Sequence, residues 1–187
     1  MKVIAAALCL GSLTALARDA APGLAADAPR VPVTTVAAVD LQRYMGTWYE
    51  IAKFPNWFQK KCRGQTKADY SIRADGRVQV INRCRVANGE FNEALGVARQ
   101  IGAASSPKLE VRFAPAWLSF VPVVWGDYWI IDLDERYQLA AVSEPKKDYL
   151  WILSRTTKVD PASYDALLGR LVIKGFDIQK LELTQQE

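Results

Sequence analysis

Between Gly46 and Thr156, apolar and polar residues alternate, and turn-forming dipeptides such as Asp75-Gly76 and Asn88-Gly89 interrupt the alternation at short intervals. This pattern is typical of short strands that each expose one face to water. The predicted strands cover 46–54, 65–73, 77–86, 91–102, 108–114, 127–134, 137–143 and 148–156. Consecutive strands at this spacing predict an antiparallel meander, either closed as a barrel or split into a sandwich.

The hairpin at 65–86 allows a prediction of which residues share a face. A three-residue loop at 74–76, with Gly76 at positive φ, places Tyr70 opposite Val80 and Ile72 opposite Val78. Directly opposed residues point to the same side of a sheet. One face of this hairpin is therefore apolar and is expected to point inward, whereas the other is polar.

A single helix is predicted after the eighth strand. Asp160 can cap it, Pro161 suits its first position, and Gly175 can end it. The apolar residues at helical spacing are Tyr164, Leu167, Leu168, Leu171 and Val172. They predict a face that packs on the sheet, and 177–183 could add a last short strand. The chain shows no internal repeat and no second domain.

The N-terminus has the pattern of a targeting signal. After Met1-Lys2, the apolar run 3–17 is shorter than the roughly 20 residues that span a bilayer, and it ends in small residues. We predict a signal peptide at 1–17, a flexible tether at 18–38 and one domain at 39–184. Cleavage near Ala25-Ala26 is one alternative, and lipidation of Cys9 is another.

Two cysteines, Cys62 and Cys84, remain after removal of that signal. In the predicted register Cys84 lies opposite Thr66, which leaves about 13 Å of extended strand to Cys62. A disulfide therefore requires the segment 62–65 to bulge, which Gly64 permits. Two free buried thiols are the alternative.

The composition excludes several classes of site. The chain contains no histidine, three cysteines and a net charge of +4 from 24 basic and 20 acidic residues. Histidine-dependent catalysis and four-ligand structural zinc sites are therefore excluded. No phosphate-binding glycine motif occurs, and the charge is too small to indicate nucleic-acid binding. We expect no catalytic residue, no metal and no cofactor.

Two motifs resemble the lipocalin family. The first is Gly46-Thr47-Trp48-Tyr49-Glu50, and the second combines the segments 128–134 and 149–156. The chain resembles the bacterial outer-membrane lipocalins over about 38–184, and is similar there to apolipoprotein D and plant temperature-induced lipocalins. The resemblance implies an all-β, eight-stranded up-and-down barrel with the helix packed outside. It also implies that Trp48 fills the closed end of the barrel and that Arg155 stacks across it.

The same resemblance implies binding of a fatty acid or lysophospholipid in the barrel, without catalysis, in the periplasm, or at the outer membrane if Cys9 is lipidated. We select ligand-binding candidates because strand alternation points them inward or because they lie at the open rim. They are Phe54, Phe58, Tyr70, Val80, Trp117, Phe120, Tyr128, Ile130, Tyr149 and Trp151. An alternative is an enzyme on the same barrel, for which Glu50 is the inward candidate.

Two loops at the predicted rim each allow more than one functional interpretation. The apolar loop 115–125 could close over a ligand, dip into a membrane, dock on a partner, or fold into the cavity as core. The basic segment 59–67, which follows Trp57-Phe58, could receive an anionic head group or lie solvated. Both a monomer and a homodimer are compatible with the sequence.

Overall fold

Eight antiparallel strands close into a barrel in the computed structural model, which describes residues 31–187. The strands are β1 (Gly46–Lys53), β2 (Cys62–Ile72), β3 (Val78–Val86), β4 (Phe91–Gln100), β5 (Lys108–Arg112), β6 (Gly126–Leu133), β7 (Leu139–Ser143), β8 (Leu150–Ser154) and the short β9 (Glu182–Leu183). The helices are α1 (Leu41–Tyr44) and α2 (Pro161–Ile173). Each strand from β1 to β8 pairs with the next, and β1 also pairs with β8. The barrel alternative is thereby confirmed over the sandwich.

A bulge in β1 changes which side chains point inward. Glu50 and Ala52 pair with adjacent residues of β8, so that Ile51 is the extra residue between them. A bulge reverses the alternation beyond it. Phe54 consequently lies outside the barrel, where its ring is 6.5 Å from that of Phe176. The predicted inward orientation of Phe54 is wrong. The prediction assumed strict in–out alternation along the strand, and the extra residue at the bulge shifts that alternation by one position.

The helix α2 packs on the outer surface of the barrel. Asp160 caps it by accepting a hydrogen bond from the amide of Ser163, and Leu167 and Leu171 are fully buried beneath it. Arg170 donates two hydrogen bonds to Asp132, at 2.8 and 2.9 Å. Val172, which the periodicity placed on the same face, is exposed, so the buried stripe is narrower than predicted.

Toward the open end of the barrel, β1 and β2 no longer pair directly, and the C-terminal segment lies between them. Only Gly46–Tyr49 of β1 pairs with β2; farther along, β1 pairs with β9. The amide of Gln65 donates to the carbonyl of Gln185 at 2.6 Å. Gly64 permits this approach, since a Cβ there would lie 2.6 Å from the Gln185 oxygen. The predicted strand at 177–183 is reduced to two residues, because Ile178–Lys180 form a 3₁₀ turn.

A disulfide joins Cys62 and Cys84, whose Cα atoms are 5.5 Å apart. The register of β2 against β3 shifts twice between Cys62 and Lys67, which brings Cys62 back toward Cys84. The predicted disulfide is confirmed, and so is the bulge that it required. The hairpin register that opposes Tyr70 and Val80 is also as predicted. Ile72 also pairs with the buried Val78 as predicted, but it is exposed itself because it lies at the end of β2, beyond the packed interior.

The residues that precede β1 contribute to the closed end. Val36 donates its amide to the carbonyl of Ile130 at 3.1 Å and packs against the interior cluster, and Val39 is buried. The end of the segment predicted as a tether is therefore in contact with the barrel, through Val36. The predicted signal peptide and Cys9 lie outside the described residues.

Candidate ligand-binding cavity

Trp48 closes one end of the barrel. Its side chain is 0% exposed, and its indole Nε1 donates to the carbonyl of Tyr44 at 2.8 Å. The guanidinium of Arg155 lies 4.0 Å from the centre of the indole ring. That guanidinium also donates to the carbonyls of Thr47, Tyr137 and Arg43, at 3.0, 3.2 and 2.8 Å. A planar group that both stacks and donates in three directions explains why arginine is used there.

Three tyrosines form a cluster next to Trp48, in which the ring centre of Tyr44 lies 4.9 Å from that of Trp48. The hydroxyl of Tyr128 is 2.9 Å from that of Tyr44 and 3.1 Å from that of Tyr70. Burial raises the pKa of Tyr70 to about 12 and raises the pKa values of Tyr44 and Tyr128 far above the ordinary range of a phenol. All three phenols are therefore neutral at physiological pH.

Above this floor the interior is incompletely filled. Side chains that the register turns inward, including Asn82, Ala94, Val111, Tyr128 and Trp151, keep accessible surface. Phe113 lies over Gly96 on the inner face of β4 and is 44% exposed. Because the sheet is closed around them, this surface faces the interior of the barrel. The interior is a cup that is packed at the floor and open at the mouth.

Aromatic side chains cover part of the mouth. The ring of Phe58, in the β1–β2 loop, lies 5.5 Å from that of Tyr149 and 6.2 Å from that of Trp151. Gln59 ties this loop to the cavity wall, since its Oε1 accepts from the indole of Trp151 at 3.1 Å. Phe58 is therefore a partial lid whose position depends on its neighbour Gln59.

Glu50 holds the other side of Gln59. Its carboxylate accepts hydrogen bonds from Gln59 at 2.7 Å and from Thr184 at 2.6 Å. Burial raises the pKa of the Glu50 carboxyl above its ordinary value, and these two hydrogen bonds oppose the shift. Both oxygens are engaged by structural partners, so the geometry favours a positioning role for Glu50 over that of a free acid or base.

The β5–β6 loop stands away from the interior. Trp117 and Phe120 are 71% and 77% exposed. Trp125 anchors the loop: its indole donates to the carbonyl of Ser119 at 2.8 Å, and the Arg99 guanidinium lies 4.2 Å from its ring centre. Of the alternatives for this loop, folding into the cavity as core is contradicted by the exposure of its tip.

The structure sorts the predicted ligand-binding residues by position. Those inside the barrel are Tyr70, Val80, Tyr128, Ile130, Tyr149 and Trp151. Phe58 lies at the mouth, Trp117 and Phe120 on the exposed loop, and Phe54 outside. Contact with a ligand stays a prediction for each of them.

Sequence reasoning missed several residues of the cup, among them Tyr44, Asn82, Ala94 and Phe113. Asn82 and Ala94 could have been found, because they continue the inward parity of Val80 along β3 and across to β4. Tyr44 could not, because α1 is only four residues long and is positioned by closure of the barrel.

Two other kinds of site have no structural support within residues 31–187. No helix in that range is long and apolar enough to cross a bilayer. The same part of the chain contains no group of three or more His, Cys, Asp or Glu side chains placed to hold a metal ion.

A closed antiparallel barrel with an open cup and an outer helix defines a class of proteins that bind small molecules. Residues 39–186 match the model of the Lipocalin-like domain. The chain belongs to the lipocalin family, as the two sequence motifs predicted.

Relatives from plants, bacteria and animals share most of the chain. Temperature-induced lipocalin-1 of Arabidopsis thaliana is 40% identical over 153 residues, which are 81% of each chain. Outer membrane lipoprotein Blc of Escherichia coli (strain K12) is 38% identical over 177 residues, 93% of this chain and 96% of Blc. Apolipoprotein D of Macaca fascicularis is 33% identical over 155 residues, 79% of this chain and 77% of the relative. The three branches named by the resemblance are confirmed.

Proposed function

We propose that this lipocalin binds one elongated lipophilic molecule, a fatty acid or lysophospholipid, in the cup and carries it in the cell envelope without chemical change. One observation supports this most strongly: inward side chains on β3 to β6 and β8 keep accessible surface above a floor in which Trp48 has none. An interior of this kind accepts an apolar chain through the mouth and stops it at the tyrosines.

The strength of binding can be bounded from the apolar surface of such a chain. Burial of about ten methylenes contributes about 8 kcal/mol at roughly 0.8 kcal/mol each. Loss of translational freedom and of chain flexibility opposes binding by several kcal/mol. A micromolar dissociation constant is expected, which suits a carrier that must also release its ligand.

The distribution of charge suggests how the ligand is oriented. Lys60, Lys61 and Arg63 lie in or beside the β1–β2 loop. Lys61 and Arg63, together with Glu90 of the β3–β4 turn, line an open recess of about 460 Å³ at the same end of the barrel. The tyrosine cluster at the floor has no hydrogen bond to a lysine or arginine among residues 31–187. An anionic head group is therefore stabilised at the mouth, while the apolar chain points toward the floor.

A pair of substitutions on β4 tests binding in the cup. Ala94 faces inward opposite Asn82, whereas its neighbour Leu95 faces out and is exposed. Displacement of a fluorescent fatty acid by hexadecanoate should show micromolar binding in the wild type and in Leu95→Trp, and at least tenfold weaker binding in Ala94→Trp. Equal binding by both variants, with melting temperatures unchanged, would place the ligand elsewhere.

The N-terminal pattern and one of the relatives support a proposal for localisation. The run 3–17 has the features of a signal peptide, and the relative of Escherichia coli is named an outer membrane lipoprotein. We infer export to the periplasm, with attachment to the outer membrane if Cys9 is lipidated. Mass spectrometry of the protein from its native envelope tests this, since an N-terminus at Arg18 supports a free periplasmic protein and an acylated Cys9 supports the anchored form.

The β5–β6 loop supports a second candidate, docking on a membrane surface. Trp117, Phe120 and Val123 form its exposed tip, at the same end of the barrel as the exposed ring of Trp57. Aromatic side chains of this kind partition favourably into the lipid interface. Co-sedimentation with phosphatidylglycerol vesicles should fall in the variant Trp117→Ser/Phe120→Ser, while hexadecanoate binding persists; unchanged sedimentation would remove this candidate.

A further inference from the structure

The tyrosine cluster at the floor has one more hydroxyl proton than it has internal hydrogen bonds. Tyr44, Tyr70 and Tyr128 carry three hydroxyl protons, and two hydrogen bonds join their oxygens. No other hydrogen bond reaches these three hydroxyls from residues 31–187. One proton is thus left to be donated to a group outside the cluster. A buried donor without an acceptor is costly, so its position matters.

Burial identifies the tyrosine that carries this proton. Tyr44 is 2% exposed and Tyr70 is 9% exposed, whereas Tyr128 keeps accessible surface toward the cup. A hydroxyl oxygen can accept two hydrogen bonds. The arrangement that leaves no fully buried donor unpaired has Tyr44 and Tyr70 both donating to Tyr128, which then donates its own proton into the cup.

In that arrangement the Tyr128 hydroxyl acts as a donor alone. Both of its lone pairs are occupied by the neighbouring phenols, and accepted hydrogen bonds polarise the remaining O–H. Burial also raises the pKa of Tyr128 far above its ordinary range, so the proton is retained. The floor therefore discriminates between ligand atoms: an oxygen acceptor is satisfied there, whereas a methyl group leaves the donor unpaired.

The acceptor at this depth should be uncharged. The three hydroxyls have no hydrogen bond to a cation among the described residues, and Arg155 lies across the Trp48 ring with its donors directed at main-chain carbonyls. A carboxylate or phosphate at the floor would have no cation to hydrogen-bond with, because Arg155 lies on the other face of the Trp48 ring and its donors are already used. A ketone, ester or ether oxygen meets the requirement without that cost.

We propose that Tyr128, positioned by Tyr44 and Tyr70, is a specificity-determining residue that selects lipophilic ligands with a neutral oxygen acceptor at the end that enters the cup first. This inference rests on the proposed binding of an elongated lipid and specifies its chemical class. The preferred ligands are oxygenated lipids, with an anionic or polar head at the mouth and a carbonyl or ether oxygen near the far end.

Positional isomers of one fatty acid test the selection. The 5-, 9-, 12- and 15-oxo derivatives of hexadecanoic acid have the same composition, so their affinities differ by where the ketone lies. The wild type should bind the isomer whose ketone reaches the floor about two- to tenfold more tightly than the 5-oxo isomer, as one hydrogen bond warrants. Tyr128→Phe should bind all isomers alike, whereas Tyr164→Phe, on the outer helix, should keep the preference.

The outcomes separate this inference from the proposed function. If no isomer and no hexadecanoate bind, the proposed function fails. Equal affinities for all isomers in the wild type, or a preference that persists in Tyr128→Phe, would overturn the role of Tyr128 while binding stands. If Tyr128→Phe does not fold, infrared spectra of bound, carbonyl-labelled isomers decide: a red-shifted ketone stretch is expected for the deep isomer relative to the 5-oxo isomer, and identical stretches contradict the proposal.

Discussion

The two ends of the barrel use tryptophan in opposite ways. At the closed end Trp48 is fully buried, donates to a main-chain carbonyl and stacks under Arg155. At the open end Trp117 stands in solvent on a loop. The comparison teaches that the closed end maintains the fold, whereas the tip of the open end is free to meet a ligand or a surface.

The largest expected effect separates those two tryptophans. Trp48→Ala leaves a cavity in the packed floor and should reduce the free energy of unfolding by about 3–5 kcal/mol. Trp117→Ala removes an exposed ring and should change it by less than about 0.5 kcal/mol. Urea denaturation followed by circular dichroism measures both. Equal losses in the two variants would contradict the division between the ends.

At the open end, the Cys62–Cys84 disulfide constrains the chain covalently. Cys62 and Cys84 are 22 residues apart in sequence. Closing a loop of that size stabilises a fold by about 3 kcal/mol through the unfolded chain. Reduction should lower the urea midpoint of the wild type and leave that of Cys62→Ala/Cys84→Ala unchanged. A wild-type midpoint that is insensitive to reductant would show that the bond does not stabilise the mouth.

A smaller effect is expected at Arg155. Lysine cannot stack on Trp48 and donate to three carbonyls together, so Arg155→Lys should cost about 1–2 kcal/mol. Arg136→Lys, at an exposed position of the same end, serves as the control. Thermal unfolding of the two variants measures the difference. If both melt like the wild type, the contacts of Arg155 do not support the closed end.

The smallest effect concerns pH and the carboxyl of Glu50. Burial raises its pKa in the folded state above the ordinary value of 4.5, so the folded protein holds this proton more tightly than the unfolded chain. The resulting stabilisation is complete below pH 4.5 and is lost as the pH rises through the folded pKa.

Glu50→Gln should lack that decrease in stability with rising pH. Glu90→Gln, on the exposed β3–β4 turn, should keep it because Glu50 is intact. Urea midpoints measured from pH 4 to pH 8, about the range of carboxyl titration, supply the comparison. Parallel pH profiles for wild type and Glu50→Gln would assign the dependence to another group.

The limits of sequence reasoning also differ between regions. Alternation predicted the strands, and the opposition of Tyr70 to Val80 followed from the turn at Gly76. The same counting failed at Phe54, because the bulge at Ile51 leaves no residue-type signal in the sequence. The tyrosine cluster was out of reach for a different reason: Tyr44, Tyr70 and Tyr128 are far apart in sequence and meet only when the barrel closes.

Gly64 is a position that the sequence marks as unusual without revealing the full structural reason. Its presence allowed the bulge that the disulfide required, and the prediction used it so. The structure adds a second cause, the close approach of the Gln185 carbonyl. Tertiary packing decides which segment lies between two strands. A glycine in the sequence can therefore indicate a close backbone contact, but it does not identify the segment that makes the contact.

The central claim is that the cup above Tyr128 holds one apolar chain. Isothermal titration of the purified protein with hexadecanoate at several temperatures tests it most directly. We expect saturation at one molecule per chain, a micromolar dissociation constant and a negative heat-capacity change from apolar burial. Absence of saturable heat, or a dissociation constant unaffected by Ala94→Trp, would contradict it.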